Sequence, residues 1–144
     1  MALVSWEDHP ALVLSAKHNM VSFLAVSGDL QRAKDLLGDS RRLYIDLGDR
    51  TYLLRLRWLD GYLARQLGDL KTSETLLLMT RDGFLEQGLE LDAALALLEI
   101  AEVYVSQGRT SDARKLAAEV IPVLESYGAH RQAEAARRLF RLAG

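Results

Sequence analysis

Apolar side chains recur at helical spacing along almost the whole chain, in stretches of about 18 residues. In two of these stretches, 49–67 and 89–107, the apolar positions form two adjoining stripes rather than one. In the first stretch one stripe comprises Tyr52, Leu56, Leu59 and Leu63, and the other comprises Leu54, Trp58, Gly61 and Tyr62. A single stripe is typical of a surface helix, so two adjoining stripes predict helices that are packed on both sides.

Glycine separates these stretches at a constant interval, at positions 28, 48, 68, 88, 108 and 128. Glycine directly after a helix adopts the left-handed conformation without a steric cost, and an aspartate that follows it can accept N–H groups of the next helix. Gly28, Gly48 and Gly68 are each followed by aspartate. The spacing predicts seven helices, near residues 9–27, 29–47, 49–67, 69–87, 89–107, 109–127 and 129–143.

Odd and even helices differ, which indicates a repeat of two helices and 40 residues. Small residues coincide at Ala33, Ser73 and Ala113, and one turn later Leu37, Leu77 and Ala117 coincide. Small residues at a fixed position allow two helix backbones to approach closely, and short links make neighbouring helices antiparallel. We therefore predict an all-α fold, an α-solenoid of antiparallel helix pairs, over residues 9–144. Residues 1–8 are expected to be an N-terminal tail or the remnant of a preceding helix.

The third repeat resembles the tetratricopeptide repeat. The family's apolar, small, aromatic, glycine and alanine positions are met by Ile100, Ala101, Tyr104, Gly108 and Ala113. The preceding unit departs from the pattern, with Asp60 and Ala64 at the apolar and aromatic positions, and the period exceeds the family's usual value of about 34 residues. The resemblance implies a solenoid that binds other proteins and carries no information about which partner it binds.

A narrower resemblance is to the C-terminal repeat region of large bacterial proteins that carry a helix-turn-helix domain at the other end. It rests on residues 56–61, 81–88, 103–109, 120–122 and 130–133. It implies a non-enzymatic interaction or scaffold module that serves as the sensing or assembly arm of a bacterial regulatory protein. Two alternatives stay open: a receptor that binds a peptide or a small effector in a concave groove, and a structural self-assembly module.

The tetratricopeptide resemblance also implies a partner-binding face, because the first helix of each pair lines the concave side in that family. The residues that it places on this face are His18, Ser22, Arg55, Trp58, Tyr62, Arg65, Leu98, Glu102 and Arg138. Aromatic residues beside arginines are typical anchors of protein interfaces, although Trp58 is equally compatible with a place in the core.

The last helix carries an apolar stripe that is expected to be exposed and to form a homodimer through a terminal helix. The stripe comprises Ala133, Ala136, Leu139, Phe140 and Ala143. Burial of such a stripe against a second copy is favourable once it exceeds the cost of association.

The composition removes several classes of function. The chain has 144 residues, a net charge of −2, no cysteine and three histidines that share no helical turn. We therefore expect no catalytic residue, no metal, no cofactor, no direct contact with nucleic acid and no membrane span. We also expect a cytoplasmic location. The tetratricopeptide resemblance implies a protein or a peptide as the partner. Charge is uneven, since residues 68–107 contain 2 basic and 8 acidic side chains whereas residues 108–144 contain 7 and 4.

Overall fold

The computed structural model describes residues 10–142, and within that range the chain is 87% helical with no strand. The seven helices are α1 (Pro10–Val26), α2 (Leu30–Leu47), α3 (Arg50–Gln66), α4 (Leu70–Glu86), α5 (Glu90–Ser106), α6 (Thr110–Ser126) and α7 (His130–Leu142). The predicted number of helices is confirmed, and each predicted end lies within one residue of the observed one. The predicted N-terminal tail, residues 1–8, lies outside the described residues.

The six phased glycines end the helices in the left-handed conformation, with φ between 61° at Gly48 and 88° at Gly28. The aspartates that follow three of them do not all act alike. Asp49 and Asp69 each accept a hydrogen bond from the backbone N–H three residues later, at 3.1 Å and 3.3 Å. The Asp29 side chain accepts no such bond and instead lies 3.6 Å from the Arg32 guanidinium.

The chain divides into two compact units, one that ends at Leu59 and one that begins at Asp60. In the first unit α1 packs against α2. In the second unit α4 packs against α5, α5 against α6 and α6 against α7, so that consecutive helices follow one another in a regular, solenoid-like way. The predicted fold class, an all-α arrangement with solenoid-like packing of consecutive helices, is confirmed over the described residues.

The even-numbered helices bury one narrow stripe each, and the three stripes repeat every 40 residues. The stripes are Ala33, Leu37, Ser40 and Tyr44 in α2, Ser73, Leu77, Thr80 and Phe84 in α4, and Ala113, Ala117, Val120 and Leu124 in α6. The small-residue position that the sequence predicts is therefore buried in all three helices. The hydroxyls of Ser40 and Thr80 donate to carbonyls of their own helices, at 2.6 Å and 2.7 Å, which satisfies these buried polar groups.

Helix α5 is buried on more than one side, as its two adjoining stripes predict. The buried positions are Ala93, Ala94, Ala96, Leu98, Ile100, Ala101 and Val103. One group of them forms a core with residues of α6 and α7, among them Leu124 and Leu139. The small side chains of α5 let these helices approach closely, so α5 is the central element of the second unit.

Candidate functional site

A half-buried ion pair joins α3 to α5 in the second unit. The Nε atom of Arg65 donates a hydrogen bond of 3.2 Å to Oε2 of Glu99, and Nη2 lies 3.1 Å from the same oxygen. The two side chains are only 19% and 17% exposed. Water therefore screens this pair much less than it screens an exposed pair, and the positions of both charged groups are well defined.

Tyr62 and Glu102 complete this group, which we call the α3–α5 polar cluster: Tyr62, Arg65, Glu99 and Glu102. The Arg65 guanidinium carbon lies 5.4 Å from the centre of the Tyr62 ring, within the range of a cation–π interaction. Glu102 is half-buried one turn after Glu99 on α5. The cluster therefore presents an aromatic ring, a cation and carboxylates within one small area.

Burial raises the pKa of two members of the cluster, Glu99 and Tyr62. The pKa of Glu99 is raised because desolvation disfavours its ionised form and outweighs the attraction of Arg65, and the negative charge of Glu102 acts in the same direction. The pKa of Tyr62 is raised for related reasons, first by burial and then by the charge of Glu99. A cation supplied by a binding partner would reduce this cost at Glu99.

Three of the residues predicted for the binding face therefore lie in one place, namely Tyr62, Arg65 and Glu102. Glu99 is absent from the predicted binding face, because acidic residues three apart on one helix are typical of a solvated face. The signal that could have found it is the arginine at the end of α3, since a half-buried arginine needs a carboxylate partner on the neighbouring helix.

The other two predicted residues of the second unit lie elsewhere. Leu98 is 8% exposed and belongs to the core that α5 forms with α6 and α7, so it is not a surface residue as the prediction required. Arg138 is exposed on α7. Because Leu98 fills the core, the cluster does not extend along that side of α5.

In the first unit, His18 is held by a buried tyrosine. Its Nδ1 atom lies 2.9 Å from the hydroxyl of Tyr44, and the pKa of His18 is lowered by burial and then by the positive charge of Arg55. The Arg55 guanidinium lies 5.7 Å from the centre of the Tyr52 ring. Ser22 and Trp58 are half-buried. The charge of Arg55 thus acts on His18. That His18, Ser22, Arg55 and Trp58 bind a partner stays a prediction.

The stripe predicted for self-association is covered within the chain. Ala133 and Ala136 are fully buried and Leu139 is 6% exposed in the core shared with α6. Phe140 is half-buried, with the Arg114 guanidinium 4.5 Å from its ring centre, and Ala143 lies outside the described residues. The expectation of exposure is therefore wrong for Ala133, Ala136 and Leu139, because they pack in a core with residues of α6.

Apart from Leu142, which is 82% exposed, the outward side of α7 is mostly polar. Arg137 pairs with Glu125 and Glu134, and Arg141 also pairs with Glu134. The positions that hold Leu98 and Ala101 in α5 hold Arg138 and Arg141 in α7, one repeat later. Self-association stays a prediction. Over the described residues of α7, the stripe formed by Ala133, Ala136 and Leu139 is buried within the chain and is not available for it.

Over residues 10–142 no group of three or more histidine, aspartate or glutamate side chains is placed to hold a metal ion. No helix in that range combines the length and the apolar character that crossing a membrane requires.

Comparisons with protein-family models, curated proteins and solved structures find no match to this chain. What bears on its function is therefore the repeat pattern and the geometry of the α3–α5 polar cluster.

Proposed function

We propose that this chain is a non-enzymatic interaction module of the tetratricopeptide type that binds a peptide segment of a partner protein through the α3–α5 polar cluster. The observation that carries the proposal is the grouping of Tyr62 and Glu102 beside the half-buried Arg65–Glu99 pair. Tyrosine and arginine are the residues that most often supply the energy of protein interfaces. The grouping therefore has the chemistry of an interface anchor.

Each member of the cluster has a distinct role in this proposal. The Tyr62 ring offers apolar area at a small loss of conformational entropy, and Glu102 pairs with a lysine, an arginine or a backbone N–H of the partner. Glu99 acts as a positioning residue, because its hydrogen bond from Nε and its ion pair with Nη2 hold the Arg65 guanidinium beside the Tyr62 ring before the partner arrives. An arrangement that is already ordered loses less entropy on binding.

The proposal extends to the biological setting. The resemblance to the repeat regions of bacterial helix-turn-helix regulators supports a role as the sensing or assembly arm of such a regulator. In that role the peptide segment belongs to another component of the regulatory system, and its binding changes what the regulator assembles with.

Affinity capture with chemical crosslinking and mass spectrometry tests this function. The bait is the purified chain, and partners that crosslink near the cluster are compared between the wild type and the Tyr62→Ala and Glu102→Lys variants. We expect both variants to reduce recovery of the same partner by about tenfold or more, the loss typical of an interface anchor. The matched control is Asp39→Lys, an exposed charge reversal on α2.

The control variant should retain the partner. Equal recovery by the wild type and both cluster variants would show that the cluster does not bind it. Circular dichroism of each variant separates loss of binding from loss of fold, because the chain is almost entirely helical.

A further inference from the structure

A second concave site lies in the same unit, between the end of α4, the first half of α5 and the middle of α6. It is a groove of about 340 Å³. Its apolar lining comes from α5 and α6, through Ala93, Ala94, Leu97, Leu116, Val120 and Val123. Leu85 of α4, which is 53% exposed, extends the apolar surface at the rim.

This groove is separate from the α3–α5 polar cluster. Ala93 lines the groove, and Glu102 of the cluster follows it by nine residues on the same helix. Nine residues are about two and a half turns of an α-helix, so the two side chains leave α5 on opposite sides. A partner could therefore occupy either site without meeting the other.

The polar residues at the groove are mostly acidic: Arg81, Asp82, Glu90 and Glu119. Arg81 forms an ion pair with its neighbour Asp82, at 2.8 Å, so its charge is largely compensated. Glu90 accepts a hydrogen bond of 3.1 Å from the hydroxyl of Tyr127, which leaves its negative charge in place. Among the described residues, no cation lies within ion-pair distance of Glu119.

We propose that this groove binds a cationic amphipathic peptide segment of a partner protein. One or two aliphatic side chains of the segment lie on the apolar floor, and lysine or arginine side chains next to them pair with Glu90 and Glu119. The volume lies near the lower end of the range for ligand sites, about 300–1,000 Å³, which suits a few side chains rather than a large ligand.

Charge complementarity selects this occupant over an anionic one. The polar lining of the groove comprises three carboxylates, Asp82, Glu90 and Glu119, and one arginine, Arg81, so the groove has a net negative charge. Like charges brought together across an interface oppose binding, whereas opposite charges speed the encounter and fix the register of the partner.

The test begins with a phage-displayed library of random peptides of roughly 12 residues, about three helical turns, selected on the immobilised full chain. The consensus peptide is then synthesised, and its binding is measured by fluorescence anisotropy. We expect a consensus that places lysine or arginine next to aliphatic residues. When this peptide is added to the chain, the backbone amide chemical shifts should change at Leu97, Val120 and Val123 rather than at Tyr62 and Arg65.

One variant tests the acidic groups of the groove, and another tests its apolar floor. Glu90→Lys/Glu119→Lys reverses the charge and should weaken binding by about tenfold or more, an effect that fades at high salt. Val123→Trp fills the groove without changing the charge and should also abolish binding, while circular dichroism shows that both variants stay helical. Asp35→Lys/Asp39→Lys makes the same change in net charge on α2 and should alter the affinity by less than about twofold.

The remaining outcomes overturn the proposal. An acidic or uncharged consensus, an equal loss in the α2 control, or full binding by Val123→Trp would each show that this groove is not a site for a cationic peptide. The same holds if light scattering shows a dimer that only the charge reversal at Glu90 and Glu119 dissociates, because a second copy would then be the occupant. The Glu102→Lys variant, which disables the cluster, should bind the consensus peptide normally, so failure of one site is distinguishable from failure of the other.

Discussion

The hydroxyl of Ser73 donates a 2.6 Å hydrogen bond to the backbone carbonyl of Gly61, across the contact between α4 and α3. Ser73 is fully buried, and a Cβ atom added at Gly61 would lie only 2.8 Å from Cγ of Leu77. The backbones of the two helices are therefore close enough that only a glycine fits on one side and only a small residue on the other. This contact explains why the repeat has a small residue at the position of Ser73.

Replacing Gly61 by alanine tests this close approach. Because Leu77 is fully buried and its Cγ cannot move freely, we expect Gly61→Ala to lower the free energy of unfolding by about 1–2 kcal/mol, the steric cost less the gain in helix preference. The matched control is Gly38→Ala on α2, where an added Cβ meets no atom within 4 Å. That variant should instead gain about 0.5–1 kcal/mol in urea denaturation, and equal effects of the two changes would contradict the contact.

Removing the hydroxyl tests the hydrogen bond separately. Ser73→Ala keeps the small size of the side chain but deletes its donor, so we expect a loss of about 1 kcal/mol in the free energy of unfolding. Thr75→Ala is the comparison, because the Thr75 hydroxyl is exposed and bonds only to the carbonyl of Lys71 in its own helix. If denaturant titrations show the same loss in the free energy of unfolding for Thr75→Ala and Ser73→Ala, the interhelical hydrogen bond of Ser73 contributes no stability of its own.

The equivalent position one repeat later is Ala113, which is fully buried. Ala113→Leu adds volume to a closely packed contact, and we expect it to destabilise the chain by about 1–3 kcal/mol. Lys71→Ala on the exposed side of α4 should change stability by less than about 0.5 kcal/mol. Thermal melts followed by circular dichroism measure both, and similar shifts in Tm would mean that the repeats are aligned out of phase.

The half-buried carboxyl of Glu99 makes stability depend on pH. Because its pKa is raised from the ordinary 4.5, the folded chain keeps the proton at pH values where the unfolded chain has released it. The stability that this group contributes is therefore present below 4.5 and is lost as the pH rises through the folded-state pKa. We expect the stability of the wild type relative to Glu99→Gln to fall as the pH rises through this window in denaturant titrations. A rise would mean that the attraction of Arg65 outweighs burial.

His18 predicts a dependence of the opposite sign. Its pKa lies below the ordinary 6.5, since burial and the nearby Arg55 disfavour the imidazolium. As the pH falls below 6.5, the unfolded chain takes up a proton before the folded chain does, so stability is lost. Between about pH 7 and pH 5, the wild type should lose stability relative to His18→Asn, as measured by urea denaturation. A difference that does not vary with pH would show that His18 is solvated as in the unfolded chain.

The ends of the helices and the phase of the repeat were set by the sequence alone. Glycine adopts a positive φ at a helix end at almost no cost, so its 20-residue spacing places each boundary within one residue. The 40-residue offset between Ala33, Ser73 and Ala113 likewise identifies the buried side of each even helix. These properties are local, because they depend on backbone conformation and on helical periodicity.

Only the tertiary structure decided which apolar stripes are covered and which charges are buried. The α7 stripe through Leu139 has the spacing of an interface, but α6 covers it, and no pattern within α7 records the presence of that neighbour. The pattern on α5 alone suggests a solvated Glu99, but in the fold it is half-buried and paired with Arg65 of α3. Periodicity fixes the direction in which a side chain leaves its helix, whereas burial and pKa depend on what the neighbouring helix places there.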